Sequence, residues 1–382
     1  MGNNSQAEIL YIKFKKADGQ AFINFLKNRL KNTRFINHKF KILYENDNIL
    51  FPIINEQSLI NRVTSLVDRK INFELISREG VYNENYKYKT LQEALEDKLP
   101  ERYSNLIPKS YDIIGHIALI EFDKFQSINK EKSNNYKEKI AEAISIINKN
   151  IKTVYEKKSQ IKGKYRLREL SLLFGEDKPE TIYKENDCVF KLNVKNTYFS
   201  PRLVFERHRI ASSEIKDNEL IIDLFAGVGT FSIQIAKKKN IKIYAFDTNS
   251  NAYEYLKENI KLNKLKGEIF PENIDVKKLL EAKNQLGKLL YNKASRIIMN
   301  LPEESINYID IACFLMKESG GNLHFYQFSE KPNPLEKSIK KLERELTHLN
   351  WDIKSIDNSK IVKHYSPKSE LVVVDLKIKA SK

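Results

Sequence analysis

One stretch restricts the possible folds of this chain more than any other: Leu220 to Asn249, LIIDLFAGVGTFSIQIAKKKNIKIYAFDTN. Leu220 to Asp223 reads as the end of a buried β-strand and Phe225 to Gly229 as a tight glycine turn. Thr230 to Lys238 then reads as a helix with Phe231, Ile233 and Ile235 available for packing. A second strand, Ile241 to Phe246, ends on an acid, Asp247. This order predicts half of a doubly wound, mostly parallel sheet. Gly227 and Gly229 remove Cβ atoms where the backbone must turn sharply and a ligand must approach it. Asp247, about 20 residues further on, is placed to accept both hydroxyls of a ribose.

A glycine turn followed by an acid is shared by nicotinamide and flavin enzymes. Here the turn reads GVG without a third glycine, so a pyrophosphate would be poorly cradled. The pattern D-x-F-x-G-x-G over Asp223, Phe225, Gly227 and Gly229, with an acid after the second strand, resembles instead the adenosylmethionine site of class I methyltransferases. That cofactor has a ribose and no phosphate.

The chain has 382 residues, enough for two or three domains with their own cores. Its 66 Lys+Arg against 50 Asp+Glu leave a formal charge of +16, which suits a polyanionic partner; an AT-biased genome gives the same excess of lysine. Cys188 and Cys313 fall in different expected domains, so no disulfide framework is expected and a reducing, cytoplasmic setting is the default. Six scattered histidines lack paired ligand spacing, and no metal site is expected. No apolar run approaches the ~18 residues of a membrane helix. Gln6 stands where a myristoylation signal would need Ser or Thr, so MGNNSQ reads as a frayed start.

Ile9 to Phe14 reads as a strand, Gly19 to Leu30 as a helix with Phe22, Phe25, Leu26 and Leu30 on one face, and Phe40 to Tyr44 with Ile49 to Ile53 as a hairpin. Ile113 to Ile120 reads as one strand with a glycine break, and Asn134 to Val154 as a helix whose stripe runs through Ile140, Ile144, Ile147, Ile151 and Val154. In KKSQIKGKYRLRE, six cations from Lys157 to Arg168 crowd around Tyr165. As a strand this segment would send Lys164, Arg166 and Arg168 to one face, a strip for phosphates or a solvated edge. Pro201 could open a helix on which Arg202 and Glu206 share a face. Further helices are expected over Ala252 to Leu262, Ile306 to Lys317 and Leu335 to Leu349. Strands are expected over Ile269 to Asp275, Ile297 to Pro302 ending in Asn300, Asn322 to Phe328 and Glu370 to Lys377, giving about seven in the last sheet.

Taken in order, ILFPI, SYDIIGHIALI, GKYRLREL, YFSPRLVFERHRI, DLFAGVGTF, FDTN, MNLP and HYSPKSELVVVDL resemble the archaeal and eukaryotic type of tRNA (guanine-37-N1)-methyltransferase over nearly the whole chain. The resemblance implies a small α/β N-terminal domain (1–58) docking on the tRNA elbow and an α+β middle domain (59–200) gripping the anticodon arm. A class I, Rossmann-like methyltransferase domain (201–382) with a seven-stranded sheet follows, using S-adenosylmethionine, in a protein expected to be monomeric. It implies Glu206 as general base, Arg166 as the residue steadying the guanine, and Asn300 at the end of the fourth strand as the residue meeting both target and cofactor. Arg207, Asp247, Thr248, Asp275 and Val276 fall where the family holds adenosylmethionine. Lys162, Lys164, Arg168 and Arg202 are the expected RNA contacts. FDTN lacks the proline of the usual DLNP, and TF replaces PF after the glycine turn; neither change removes a group that the chemistry requires.

Two alternatives share this frame. One is a wybutosine-pathway enzyme acting at the same tRNA position, by aminocarboxypropyl transfer or by methylating the tricyclic intermediate. The aminocarboxypropyl enzymes differ at FSPRLVFERHR, carry Glu in place of Asp247, and lack MNLP. The other is a non-catalytic RNA-binding protein on the same scaffold, which would not need Glu206, Arg166, Asp247 and Asn300 together.

Overall fold

The computed structural model describes residues 8–29, 35–67, 71–96, 98–127 and 129–381. Leu30 and the MGNNSQ start lie outside the described residues. The chain divides into two compact units, Met1–Lys89 and Thr90–Lys382.

In the first unit β1 (Glu8–Lys15) is followed by α1 (Lys16–Arg29), β2 (Leu43–Glu45), β3 (Asn48–Pro52), α2 (Gln57–Leu66) and β4 (Glu74–Glu79). The strands form an antiparallel sheet ordered β2-β3-β1-β4. Its core is aromatic: Phe14 and Phe22 meet at 4.4 Å between ring centroids, with Phe51 against both. Since β4 pairs with β1 from Glu8↔Glu79 to Lys13↔Glu74, this unit runs past the expected boundary at 58.

The second unit begins with α3 (Leu91–Leu95), then β5 (Asp112–Ile114), β6 (Ile117–Ile120), α4 (Lys130–Ile147), β7 (Thr153–Lys157) and β8 (Leu170–Phe174), which make a four-stranded sheet in chain order. Ile113 to Ile120 is therefore two strands of a tight hairpin. Gly115 turns it with φ +58°, where a Cβ would lie 2.2 Å from Thr181 Oγ1. The expected helix to Val154 stops at Ile147, since Asn148 leaves the helical conformation. Ile140 and Ile144 face the core from α4, while Ile151 and Val154 reach it from the following loop and β7. The Lys162 to Arg168 segment is a turn closed by the Lys162–Leu167 bridge, so its cations do not share a strand face.

A two-stranded ribbon, β9 (Glu180–Glu185) and β10 (Cys188–Asn193), leads to a 3₁₀ turn at Pro201–Leu203 and α5 (Val204–Ala211). The seven-stranded sheet then builds from β11 (Leu220–Asp223), α6 (Thr230–Lys238), β12 (Lys242–Phe246), α7 (Ser250–Leu262), β13 (Glu268–Glu272), α8 (Gln285–Leu290), β14 (Arg296–Met299), α9 (Ile309–Leu315), β15 (Gly321–Glu330), α10 (Pro334–His348), β16 (Trp351–His364) and β17 (Ser369–Ala380). The strand order is β13-β12-β11-β14-β15-β17-β16, parallel up to β15 and antiparallel at β17 and β16.

Alternate residues serve opposite faces of this sheet, as period-2 geometry requires. Ile221, Ile243 and Ile298 enter one core with α5, α6 and α7; Ile222, Ile297 and Met299 enter the other with α9 and α10. Two expected elements change at their ends and one strand is new. The third strand stops at Glu272, and Asp275 caps a 3₁₀ turn over Val276–Leu280; the helix from Ile306 is 3₁₀ through Tyr308 before α9; and β16 is an additional strand. The order reverses between β11 and β14, so a crevice opens where their carboxyl ends part. No helix among the described residues is long and apolar enough to cross a membrane.

Because Ile144 is fully buried and Ile146 is 38% exposed on the same helix, Ile144→Ala should cost about 2–5 kcal/mol of stability and Ile146→Ala under about 1 kcal/mol. Urea unfolding monitored by circular dichroism compares them. Equal losses would contradict the orientation of α4.

Candidate active site

The crevice at the sheet's reversal holds two cavities that share Arg166, Tyr198, Leu203 and Asn300 in their walls. The first, about 500 Å³, is formed by the turn after β11 and the ends of β12 and β14, and includes Phe225, Gly227, Asp247, Thr248, Asp275 and Val276. Gly227 turns at φ +57° with its Cβ direction open, the nearest atom being Tyr198 O at 4.0 Å. Gly229, at φ +91°, is packed: a Cβ there would come within 2.4 Å of Leu256 Cδ1. One glycine thus leaves room for a ligand and the other lets the turn seat on its helices.

Asp247 is fixed by two backbone donors. Gly227 N donates to Oδ2 at 2.8 Å and Asn249 N donates to Oδ1 at 2.8 Å. Each oxygen keeps acceptor capacity. Burial pushes the Asp247 carboxyl up, against the pull of those two donors. Asp223 is fully buried beneath the turn and is not among the residues lining the cavity. Ser232 Oγ donates to its Oδ2 at 2.8 Å, while Oδ1 has no hydrogen-bond partner. Burial drives the Asp223 carboxyl up to about 7, despite hydrogen bonds from Ser232 and the Phe225 backbone. Its place is that of a support for the turn.

Asp275 accepts from Lys277 N at 3.2 Å and from Lys164 Nζ at 3.1 Å. Burial would raise its carboxyl, but Lys164 and the Lys277 backbone outweigh it and keep it low. Phe225 meets Tyr308 edge-on at 5.0 Å, so the cavity between the turn and Val276 has aromatic and aliphatic walls. An open glycine, a carboxylate with spare acceptors, and flat apolar walls beside a second acid fit an adenosine group without a phosphate.

Arg207 lines this cavity, yet its guanidinium is already engaged. It forms a buried fork on both oxygens of Glu185 and donates from Nη1 to Ser200 O at 3.0 Å. Gln234 Nε2 holds Glu185 Oε1 at 2.7 Å. Arg207 therefore shapes the wall through Ser200 and the β9–β10 ribbon.

The second cavity, about 610 Å³, sets Lys157, Arg166, Arg168, Arg202 and Lys363 against Asp112, Glu121 and Asp123. Arg166 sits at φ +56° in the turn and is 8% exposed. Its guanidinium lies 5.2 Å from the Tyr198 ring and 6.0 Å from the Phe328 ring. Nη1 makes an ion contact of 2.9 Å with Glu303 that is poorly aligned for a hydrogen bond, and Nε has no hydrogen-bond partner. Arg202 pairs with Asp112 at 2.7 Å and not with Glu206; Arg168 pairs with Glu121 at 2.7 Å; Lys162 is exposed. Burial, then Arg202, pushes Lys363 below the usual lysine range.

Glu206 is not brought to either cavity. It points from α5 onto β15 and β16, where Lys360 Nζ approaches Oε1 at 2.6 Å, Arg209 Nη2 donates to Oε2 at 2.8 Å, and the Tyr326 hydroxyl donates to Oε2 at 3.2 Å. Burial would raise its carboxyl, but Arg209 and Lys360 hold it below the usual range, so it is ionised. Arg202 and Glu206 do not share a helix face, because helix α5 begins only at Val204, after a 3₁₀ turn that changes the phase between them. The structure also adds cavity residues that had no individual role: Tyr198, Phe328, Lys363 and Tyr365. For Tyr198 and Tyr365 the YFSP and HYSP stretches carried that signal.

Residues 181–354 match the model of the TRM5/TYW2 methyltransferase domain, and residues 91–178 that of the TYW2 N-terminal domain. The chain is 32% identical over 372 residues to the tRNA (guanine(37)-N(1))-methyltransferase Trm5b of Methanocaldococcus jannaschii, covering 97% of this chain and 98% of that protein. It is 31% identical over 291 residues to the tRNA(Phe) (4-demethylwyosine(37)-C(7)) aminocarboxypropyltransferase of Pyrococcus horikoshii, covering 75% and 96%. Among solved structures it is similar to aTrm5 in complex with tRNALeu, with a TM-score of 0.70 at 31% identity, covering 96% of this chain and 99% of that one.

The raised Asp223 carboxyl sets a pH dependence with a defined sign. Its protonated form is favoured in the fold, so this contribution to stability is complete below the unfolded value near ~3.9 and is lost as pH rises through about 7. Asp223→Asn should therefore shrink the fall in Tm between pH 5 and pH 8 by a few degrees in scanning calorimetry. An unchanged fall would show that Asp223 is not linked to folding in this range.

Proposed function

Because the chain belongs to the tRNA (guanine-37-N1)-methyltransferase family, we propose that it methylates N1 of the guanine at position 37 of tRNA, next to the anticodon, giving 1-methylguanosine and supporting reading-frame maintenance. The observation that carries this reading is the pair of cavities meeting at Arg166 and Asn300, one suited to adenosine and the other rich in cations and aromatic rings. S-adenosylmethionine, the cofactor of this fold, supplies the methyl group when bound.

Asp247 would hold the ribose hydroxyls, Gly227 the close approach to the turn, Phe225 and Val276 the adenine faces, and Asp275 the adenine amino group, with Thr248 beside the ribose acid. In the second cavity Asn300 would hold the guanine edge. N1 of guanine carries a proton at neutral pH that must leave as the bond to carbon forms. Negative charge then spreads to O6, and Arg166, with a donor not yet engaged and a guanidinium that stays charged, is suited to stabilise it. Glu206 has the ionised carboxylate that a proton acceptor needs. To act on N1 it must exchange Lys360 and Arg209 for the nucleobase.

The net charge of +16 and the cations Lys162, Lys164, Arg168 and Arg202 support contacts to RNA phosphates. We assign the N-terminal unit to the tRNA elbow, residues 90–200 to the anticodon arm, and a single copy as the working unit. A second reading, aminocarboxypropyl transfer in the wybutosine pathway, is favoured by the match of residues 91–178. The FSPRLVFERHR stretch, Asp247 and MNLP favour methyl transfer.

Labelled S-adenosylmethionine and tRNA transcripts with guanine or adenine at position 37, followed by nucleoside analysis, test the assignment. The expected product is 1-methylguanosine from guanine only. Arg166→Ala should lower turnover by roughly 10²-fold, and Glu206→Gln by at least as much if Glu206 takes the proton. Turnover of Glu206→Gln within about threefold of the parent would leave Glu206 as a structural ion. An aminocarboxypropyl product would transfer the protein to the second reading, and cofactor binding without product would favour an RNA-binding role.

A further inference from the structure

The turn joining β16 to β17 carries an aromatic side chain that the mechanism above does not use. Tyr365 stacks on Phe328 with 3.9 Å between ring centroids and an interplanar angle of 26°. Phe328 in turn lies beside the Arg166 guanidinium, which lies over Tyr198. Tyr198, Arg166, Phe328 and Tyr365 thus form a column of flat groups along the wall of the second cavity. Arg166 is buried and Phe328 half-buried, while Tyr365 ends the column and is 43% exposed.

The turn is built to hold that ring. Ser366 N donates to Ser369 O at 3.0 Å, the Ser366 and Ser369 hydroxyls meet at 2.8 Å, and His364 Nδ1 meets Glu370 at 2.8 Å. Cations line the same cavity: Lys363, two residues before it, and Arg202. An aromatic face beside a cationic groove is how proteins take unpaired nucleotides without reading sequence, because every base offers a π-face. The need for such a face follows from the chemistry. A base that leaves its stack to be modified deprives its neighbour of a stacking partner.

We propose that the outer face of Tyr365 is a second nucleobase subsite, which stacks the unpaired base next in the RNA chain to the one being methylated. This rests on the tRNA reading above. It makes Tyr365 a binding residue for the flanking nucleotide, with a preference for an aromatic side chain and no requirement for its hydroxyl.

The experiment uses full-length tRNA carrying 2-aminopurine, or an abasic residue, on either side of the target guanosine, with the parent protein, Tyr365→Ala and Tyr365→Phe. The expected result is quenching of 2-aminopurine at one flanking position by the parent and by Tyr365→Phe, but not by Tyr365→Ala. The Kd for tRNA should rise roughly tenfold in Tyr365→Ala and stay close to the parent value in Tyr365→Phe. An abasic residue at the same flanking position should weaken the parent by a similar factor and leave Tyr365→Ala no worse. S-adenosylmethionine binding by calorimetry checks that the variants are folded. Equal quenching by Tyr365→Ala, or independent losses from the variant and the abasic residue, overturns the subsite, as does parent protein that binds abasic and intact tRNA alike. If those results come with normal methylation of the tRNA, only the subsite fails. Parent protein that neither binds nor modifies the tRNA removes the reading beneath it as well.

Discussion

The hydrogen bond from Gly227 N to Asp247 joins the carboxyl ends of two neighbouring parallel strands, and the rest of the site depends on it. It fixes the turn after β11 in the left-handed conformation that only glycine adopts without cost at that point. It also holds one cavity-facing carboxylate at a set height above the sheet. Beneath the turn Asp223 performs the complementary task through Ser232. Burial raises the affinity of both acids for protons, and the charge of Asp247 adds to the effect on Asp223. The strain of keeping both is tolerated because their hydrogen bonds come from the backbone and from one packed helix.

Most of this centre was legible in the sequence because its information is local. An apolar run, glycines at fixed spacing and an acid at the next strand end suffice to place β11, α6 and β12. Where the reading failed, several structures shared one pattern. Alternating cations from Lys162 to Arg168 describe a strand equally well as a turn, and Gly163 with its φ of +71° was the feature that decided. The isoleucine stripe continued past the end of α4 because the next strand needs apolar residues of its own. β16 was missed since it is an edge: Asp352, Lys354 and Lys360 blunt it with charge and conceal its alternation. The position of Glu206 was beyond local reading, because the phase of α5 is set by what packs against it.

What packs against it is a largely buried chain of charged side chains joined through one histidine. Arg209 bridges Glu206 and Asp375; Asp375 meets His324 at 2.7 Å; His324 meets Arg296 at 2.8 Å, and Arg296 meets Glu219 at 3.2 Å. Burial keeps His324 low, against the pull of Asp375, so its ring favours the neutral form beside two arginines. A chain of this kind adds little net stability compared with apolar packing, and it punishes the loss of any member. It fastens helix α5 to the antiparallel half of the sheet, so that the wall carrying Leu203 and Arg207 and the turn carrying Tyr365 are referred to one frame.

The contact between Lys164 and Asp275 crosses from the turn after β7 to the rim of the cavity beside the glycine turn. Any ligand that draws on Asp275 competes with Lys164 for the same carboxylate, and any polyanion that draws Lys164 away frees that carboxylate. The two occupancies are then thermodynamically linked, and linkage is reciprocal: whatever factor one ligand applies to the other's affinity is returned in full. A single surface ion pair, weak as a source of stability, would in that case couple the filling of one side of the cleft to the other.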